Sequence, residues 1–322
     1  MVPSGGHSIC NLQFAMVNFQ SPLDLTVPQS PKEKVQIGDW PLQIANCRPR
    51  ASSPPAYNAL MAILTHGSDL RLAPTLKPAV AATDGTVRGA LKSLAAAGFT
   101  AVQLDATLAG LRPRELSQRA RKDLVALLSR QGFQIAGIDL FLPRDHFVET
   151  QHVDRAMMAA LAAIELAADL GRVPVSVALP VAQLADDVKR ALVEAADGRS
   201  IRLAVHAEDQ LDALAAWLDA VDMPALGAAI DPAALIARGE KAVKTTQRFG
   251  KRLAVARLSD ATAGALRCPP GEGELDIAAY RVTLDLAPGR SGPVVLDLRN
   301  LQDPLAAAGS TKATWEEAAF TV

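Results

Sequence analysis

Four short segments of the chain close an apolar run with a polar residue of the kind that does chemistry. LAVHAED brings His206, GAAIDP brings Asp231, LAVARLSDA brings Arg257 and Asp260, and GPVVLDLRN brings Asp297 and Arg299. Carboxylate and imidazole groups move protons or hold a metal ion, and a guanidinium holds an anion. Asp231 must reach water, a cation or a hydrogen-bond donor, because an unpaired buried charge costs several kcal/mol. It can do so in a binding site or as the N-cap of a helix, and Pro232 beside it suits the second use. Arg257 is permanently charged and has no lone pair to offer a metal. Asp105 and Asp139 close two earlier apolar segments, TAVQLDA and FQIAGIDLF, and are either pocket residues or solvated strand ends.

Strands that stay apolar until a polar residue at the C-terminal end line the mouth of a parallel barrel. The elements around the candidate residues fit that arrangement. A strand in LRLAPTL precedes a helix over 86–97, where Val87, Ala90, Leu91 and Leu94 share one face and Gly98 follows as a cap. TAVQLDA precedes a long helix with a stripe of Leu116, Ala120, Leu124, Leu127 and Leu128, ended by Gly132. After FQIAGIDLF an Ala-rich helix places Met157, Leu161, Ile164 and Ala168 at helical spacing and ends at Gly171. VPVSVAL, IRLAVHA, LGAAID, RLAVARLSD and PVVLDLR are each followed by helical or loop material, with a last helix near Trp315. Eight strand–helix units over some 250 residues make one (β/α)8 barrel, expected to span 66–322. A doubly wound open sheet also alternates strands and helices, but no G-x-G-x-x-G follows the first strand and no G-x-x-x-x-G-K-[ST] occurs.

Residues 1–65 differ: scattered prolines, few charges and no sustained period make them a loose N-terminal extension. Met61 stands just before the first convincing strand, so translation starting there is one expectation, checked by the intact mass of the native protein. With 49% hydrophobic residues over 322, the chain can bury a large core, and with 4% aromatics that core must be mostly Ala, Leu, Val and Ile. A net charge of −1, with no basic stripe carrying aromatics, argues against a nucleic-acid partner, and no apolar run reaches membrane-span length. Three cysteines without metal-ligand spacing, Cys10, Cys47 and Cys268, and no secretory signal point to a cytoplasmic protein. His146 and His152 flank a helix start at a spacing other than that of H-E-x-x-H and read as solvent-exposed; His7 and His66 lie in or beside the extension.

GFTAVQLDA, PRELSQRARKDLVALLSRQGFQIAGIDL, AIELAADLG, LGAAIDP, LAVARLSDA and PPGEGELD, in that order, resemble the xylose isomerase-like TIM-barrel superfamily. That superfamily includes sugar-phosphate isomerases and epimerases, inosose dehydratases and endonuclease IV-type enzymes. Its epimerase-type members hold one divalent metal with a Glu, an Asp, a His and a Glu from strands five to eight, and the two glutamates shuttle a proton. Carried onto this chain, the resemblance keeps Asp231, puts His206 and Asp297 where the glutamates stand, and puts Arg257 where the histidine stands. A substrate-contacting histidine three positions after the strand-six Asp corresponds to Ala234 here. PPGEGELD, with Gly271, Glu272, Gly273 and Asp276, resembles the loop after strand seven, as a lid over the site or an ordinary turn.

The resemblance implies a sugar isomerase or epimerase acting on a small sugar, polyol or sugar phosphate by proton transfer. Asp231, Asp297 and His206 are then the catalytic candidates, and Arg257, Asp260, Asp105 and Glu272 the substrate-binding ones. A metal (Mn, Mg, Zn or Co) would fall to His206, Asp231 and Asp297, but is expected to be absent or weak. A guanidinium at roughly 4 Å repels a divalent ion by on the order of 8 kcal/mol at an effective dielectric near 20. Arg257 is expected instead to pair with Asp231, Asp297 or Asp260. The alternatives are a non-catalytic barrel that binds a metabolite or a protein partner, and a metal-dependent hydrolase or lyase.

Overall fold

A computed structural model describes residues 69–290 and 292–319. The extension, Met61, Cys10, Cys47, His7 and His66 lie outside the described residues. Eight parallel strands form the barrel: β1 (Leu72–Pro74), β2 (Ala101–Asp105), β3 (Gln134–Leu140), β4 (Val175–Ala178), β5 (Leu203–His206), β6 (Leu226–Ile230), β7 (Leu253–Leu258) and, after a small hairpin of β8 (Asp260–Ala261) and β9 (Arg267–Cys268), β10 (Val294–Leu296). They pair in the order β1-β10-β7-β6-β5-β4-β3-β2, and a parallel bridge between Thr75 and Gln103 joins the ends. This is a (β/α)8 barrel, as its strand–helix alternation requires.

Among the described residues ten α-helices run in chain order: α1 (Leu76–Ala81), α2 (Val87–Ala96), α3 (Gln118–Arg130), α4 (Val153–Asp169), α5 (Asp186–Gly198), α6 (Leu211–Val221), α7 (Pro232–Ile236), α8 (Ala242–Phe249), α9 (Ile277–Asp285) and α10 (Pro304–Glu317). Four of their starts are set by short polar side chains. Thr86, Ser117, Asp276 and Asp303 each accept the N–H three residues on, satisfying a donor the helix leaves unpaired. Gly98, Gly132 and Gly171 follow α2, α3 and α4 with φ of +78°, +78° and +108°, the conformation that glycine adopts most readily. The stripe expected on α4 is rotated. Ala156, Ala160, Ala163 and Ala167 are buried, whereas Leu161 is 38% exposed. Alanines let the helix approach its neighbours closely, and that contact outweighs burial of the single leucine.

The two faces of the strands differ in size. Leu203 and Val205 of β5 pack outward into the helix layer, whereas Ala204 joins Ala229, Ala254, Val255 and Val295 in an inner cluster. Ala73, Ala101 and Ala136 form a second inner cluster. Small side chains fill the centre of the barrel, which fits the low aromatic content.

Two irregularities re-aim side chains. Pairing of β2 with β3 skips a residue after Val102, from Val102↔Ile135 to Gln103↔Gly137. Pairing of β6 with β7 skips one after Ala228, from Ala228↔Leu253 to Ala229↔Val255. Side chains alternate along a strand, so each bulge switches the face of everything after it. Ala136 and Asp139 therefore both serve the lumen, as do Ala254 and Arg257.

Candidate functional site

The strand ends place His206, Asp231, Arg257 and Asp297 together at the C-terminal mouth, and all four are buried. Arg257 is at the centre. Its Nε donates to His206 Nε2 at 3.1 Å, its Nη1 to Asp297 Oδ2 at 3.5 Å, and its Nη2 to Asp139. Gln103 adds a second donor to Asp139 at 3.2 Å, and the Tyr280 hydroxyl donates to the Arg257 carbonyl at 2.9 Å. Since Nε2 of His206 accepts, its Nδ1 carries the proton and donates to Glu208 Oε1 at 2.8 Å. The same Glu208 oxygen accepts the Asp231 backbone N–H at 2.9 Å, tying β5 to β6 above the lumen.

Two more arginines close the network. Arg267, on the hairpin strand β9, reaches Asp231 at 3.0 Å and Asp297 at 2.9 Å. Arg299 clamps Asp297 through Nε and Nη2, lies 3.6 Å from Asp231 and stacks over the exposed Phe141 ring, 4.0 Å from its centroid. Burial opposes ionisation of Asp297, but Arg299, Arg257 and Arg267 outweigh it and hold the carboxyl far below the usual range. Asp231 is also held low. Burial and the charge of Asp297 push it up, and Arg267, Arg299 and the Ser259 hydroxyl pull it further down. Arg267 and Arg299 are burdened by the same desolvation, yet the aspartates raise both, so neither gives up its proton.

Asp231 occupies the N-cap position of α7, with Pro232 after it, but its side chain makes no capping bond. It turns into the mouth and accepts from Ser259 Oγ at 2.6 Å, while Ser259 Oγ accepts the Ala233 N–H at 3.1 Å. The serine thus caps the helix and frees the carboxylate for Arg267.

Asp260 stands apart. Its carboxylate accepts backbone N–H groups of Ala261, Gly271, Gly273 and Leu275 at 2.8–3.1 Å. This binds down the PPGEGELD loop, and a Cβ on Gly273 would come within 2.4 Å of Asp260 Oδ1. Glu272 lies exposed on that loop, and neither it nor Asp260 lines the mouth cavity. Asp105 does line it, bonded to Thr107 Oγ1 at 2.5 Å and 3.8 Å from Lys77 Nζ.

Above the network lies an open cavity of about 500 Å³, bordered by Lys77, Asp105, His206, Glu208, Asp231, Arg267, Arg299, Asn300 and the Phe141 ring. Its wall carries both donors and acceptors. Glu208, Arg267 and Ser259 were missed in the sequence because they lie past the strand ends; only their closeness to His206, Arg257 and Asp260 in the chain could have flagged them. Among the described residues no helix is long and apolar enough to cross a membrane.

No curated protein matches the chain. Among solved structures it is similar to a D-tagatose 3-epimerase-like protein, at 15% identity over 78% of this chain and 99% of the other, with a TM-score of 0.63. It is similar to an L-ribulose 3-epimerase at 15% identity over 78% and 96%, TM-score 0.61. It is also similar to a xylose isomerase-like TIM barrel protein from Mycobacterium smegmatis in complex with magnesium, at 16% identity over 77% and 96%, TM-score 0.61. At such identities these likenesses speak for the fold. The Xylose isomerase-like TIM barrel family matches residues 91–319, and the chain belongs to that family.

Proposed function

We propose that the mouth is a binding site for a small sugar, polyol or sugar phosphate that works without a divalent metal. The observation that carries this reading is the place of the Arg257 guanidinium, bonded at once to His206, Asp297 and Asp139. It sits among the groups onto which the family's ligand set carries over, where a divalent ion would meet fixed positive charge at close range. Arg267 and Arg299 bind the carboxylates that remain, Asp231 and Asp297. Carboxylates held so far toward the ionised form are weak bases for a carbon-bound proton. The cavity is of the size that takes a small metabolite, and its mixed wall suits a polyhydroxylated one. Solved neighbours named as epimerases support the sugar class.

A second reading keeps proton transfer. The His206–Glu208 pair is linked at 2.8 Å and Glu208 borders the cavity, which suits Glu208 as a base and His206 as its proton carrier. Exchange of a carbon-bound hydrogen of a bound sugar in heavy water, followed by NMR, would favour this reading; binding without exchange favours the first.

The deciding experiment is a thermal-shift screen of sugars, sugar phosphates and inositols with and without Mn²⁺. A true ligand at about 100 times its Kd adds roughly 2.7 kcal/mol of apparent stability. Metal-independent shifts that vanish in Asp231→Asn are expected. A crystal with Mn²⁺ bound by Asp231 and Asp297 would refute the metal-free site.

A further inference from the structure

The loop between β3 and α4 carries a His-x-x-Glu-x-x-His run, His146, Glu149 and His152, outside the mouth cavity. His146 lies in a 3-10 turn, Arg144–Phe147, and His152 is the N-cap residue of α4. Turn hydrogen bonds fold the stretch tightly: the Glu149 N–H donates to the Asp145 carbonyl at 2.9 Å, and the His152 N–H to the Glu149 carbonyl at 2.8 Å. One ligand atom from each of the three side chains consequently lies within 4.8 Å of the others. The two imidazole centroids are 4.3 Å apart with the rings tilted by 42°, and His152 Nε2 is 3.5 Å from Glu149 Oε2. Among the described residues no other three His, Cys, Asp or Glu side chains converge in this way.

We propose that His146, Glu149 and His152 form a binding site for zinc or another late first-row divalent ion, independent of the mouth. Two imidazoles and one carboxylate, with a fourth position left to water, are a donor set zinc accepts. Imidazole also selects late first-row ions over magnesium or calcium. Tetrahedral ligands at bonding distance from zinc stand roughly 3.4 Å apart, and His152 Nε2 and Glu149 Oε2 already stand 3.5 Å apart.

Arg155 is the built-in competitor. Its Nη2 lies 2.9 Å from His152 Nδ1 and donates to it, which leaves the ring proton on Nε2, toward Glu149. Binding an ion through Nε2 moves that proton to Nδ1 and releases the guanidinium. Removing Arg155 therefore favours the ion twice, by freeing the tautomer and by deleting a positive charge.

The test uses tag-free full-length protein. It is titrated with Zn²⁺ against a chromophoric chelator and, separately, with Co²⁺ followed by its visible absorption. One equivalent is expected to bind wild type and Asp231→Asn alike. His146→Ala and His152→Ala should each weaken binding by at least about tenfold, and Arg155→Gln should tighten it. Melting of each variant in chelator shows that the fold is kept. Absence of stoichiometric binding by wild type overturns the proposal. So does binding that survives the double histidine variant or is lost in Asp231→Asn.

Discussion

The floor of the mouth and the loop after β3 gather the same kinds of side chain, histidine beside carboxylate, and treat positive charge in opposite ways. In the floor the chain supplies its own cation: Arg257 is 1% exposed and bonds two aspartates and a histidine. In the loop the nearest guanidinium, Arg155, touches one imidazole edge and leaves the other groups facing each other at partial exposure. Burial explains the contrast. A buried carboxylate cluster has to be neutralised in every folded molecule, and a tethered guanidinium does so at all times. A cluster at the surface is solvated and can await an ion.

The largest way to break this contrast is to remove the common partner of the three arginines. Asp297→Asn is expected to cost about 3–5 kcal/mol, because it leaves the buried Arg257 and the largely buried Arg267 and Arg299 under-compensated. Urea denaturation measures this, and a loss below about 1 kcal/mol would contradict the picture of a tightly coupled floor. Next comes Arg257→His, which returns an imidazole to the place of the guanidinium. It should lose about 3 kcal/mol in chelator and then regain stability with Mn²⁺ or Zn²⁺, provided His146 and His152 are first replaced so that the loop cannot answer instead. No recovery with metal would mean that Arg267 and Arg299 suffice to keep ions out.

Asp260→Asn tests a different dependence on a buried carboxylate. One charged acceptor serves four backbone N–H groups there, so the loss should be about 2 kcal/mol, with faster proteolysis of the 269–275 loop. The smallest effect is on pH. Asp231 and Asp297 are held below the usual carboxylate range in the folded protein, so their contribution is fully present above the unfolded value of about 3.9 and is lost as pH falls below it toward the folded values. Stability should therefore decline with acid below about pH 4. Asp231→Asn should flatten part of that decline, and an unchanged slope would show that Asp231 titrates alike in both states.

Much of the barrel was legible because it rests on local signals. Leu91 and Leu94 share a face by helical periodicity, Thr86 and Gly98 bracket that helix by capping chemistry, and most strands declare their ends by switching from apolar to polar, β4 excepted, which runs on into Leu179 and Pro180. The site was legible only in its parts. Asp231 beside Pro232 could be read as a cap or as a site residue, and the choice lay with Ser259, 28 residues later, whose hydroxyl takes over the capping. Glu208 carried no signal beyond its place two residues past His206, because its importance comes from reaching the Asp231 backbone across β5 and β6.

By itself, then, the sequence determined the repeating strand–helix architecture and the polar residues that end most of the strands, since both follow from patterns a few residues long. The tertiary structure alone decided where those residues point and with whom they pair. Arg257 faces the lumen because β7 takes a bulge against β6, and it meets Asp139, 118 residues away, because β3 takes one against β2. Counted by strict alternation from Ala254, Arg257 would face the helices. One extra residue in the pairing turned its permanent charge inward, into the centre of the ring of carboxylates.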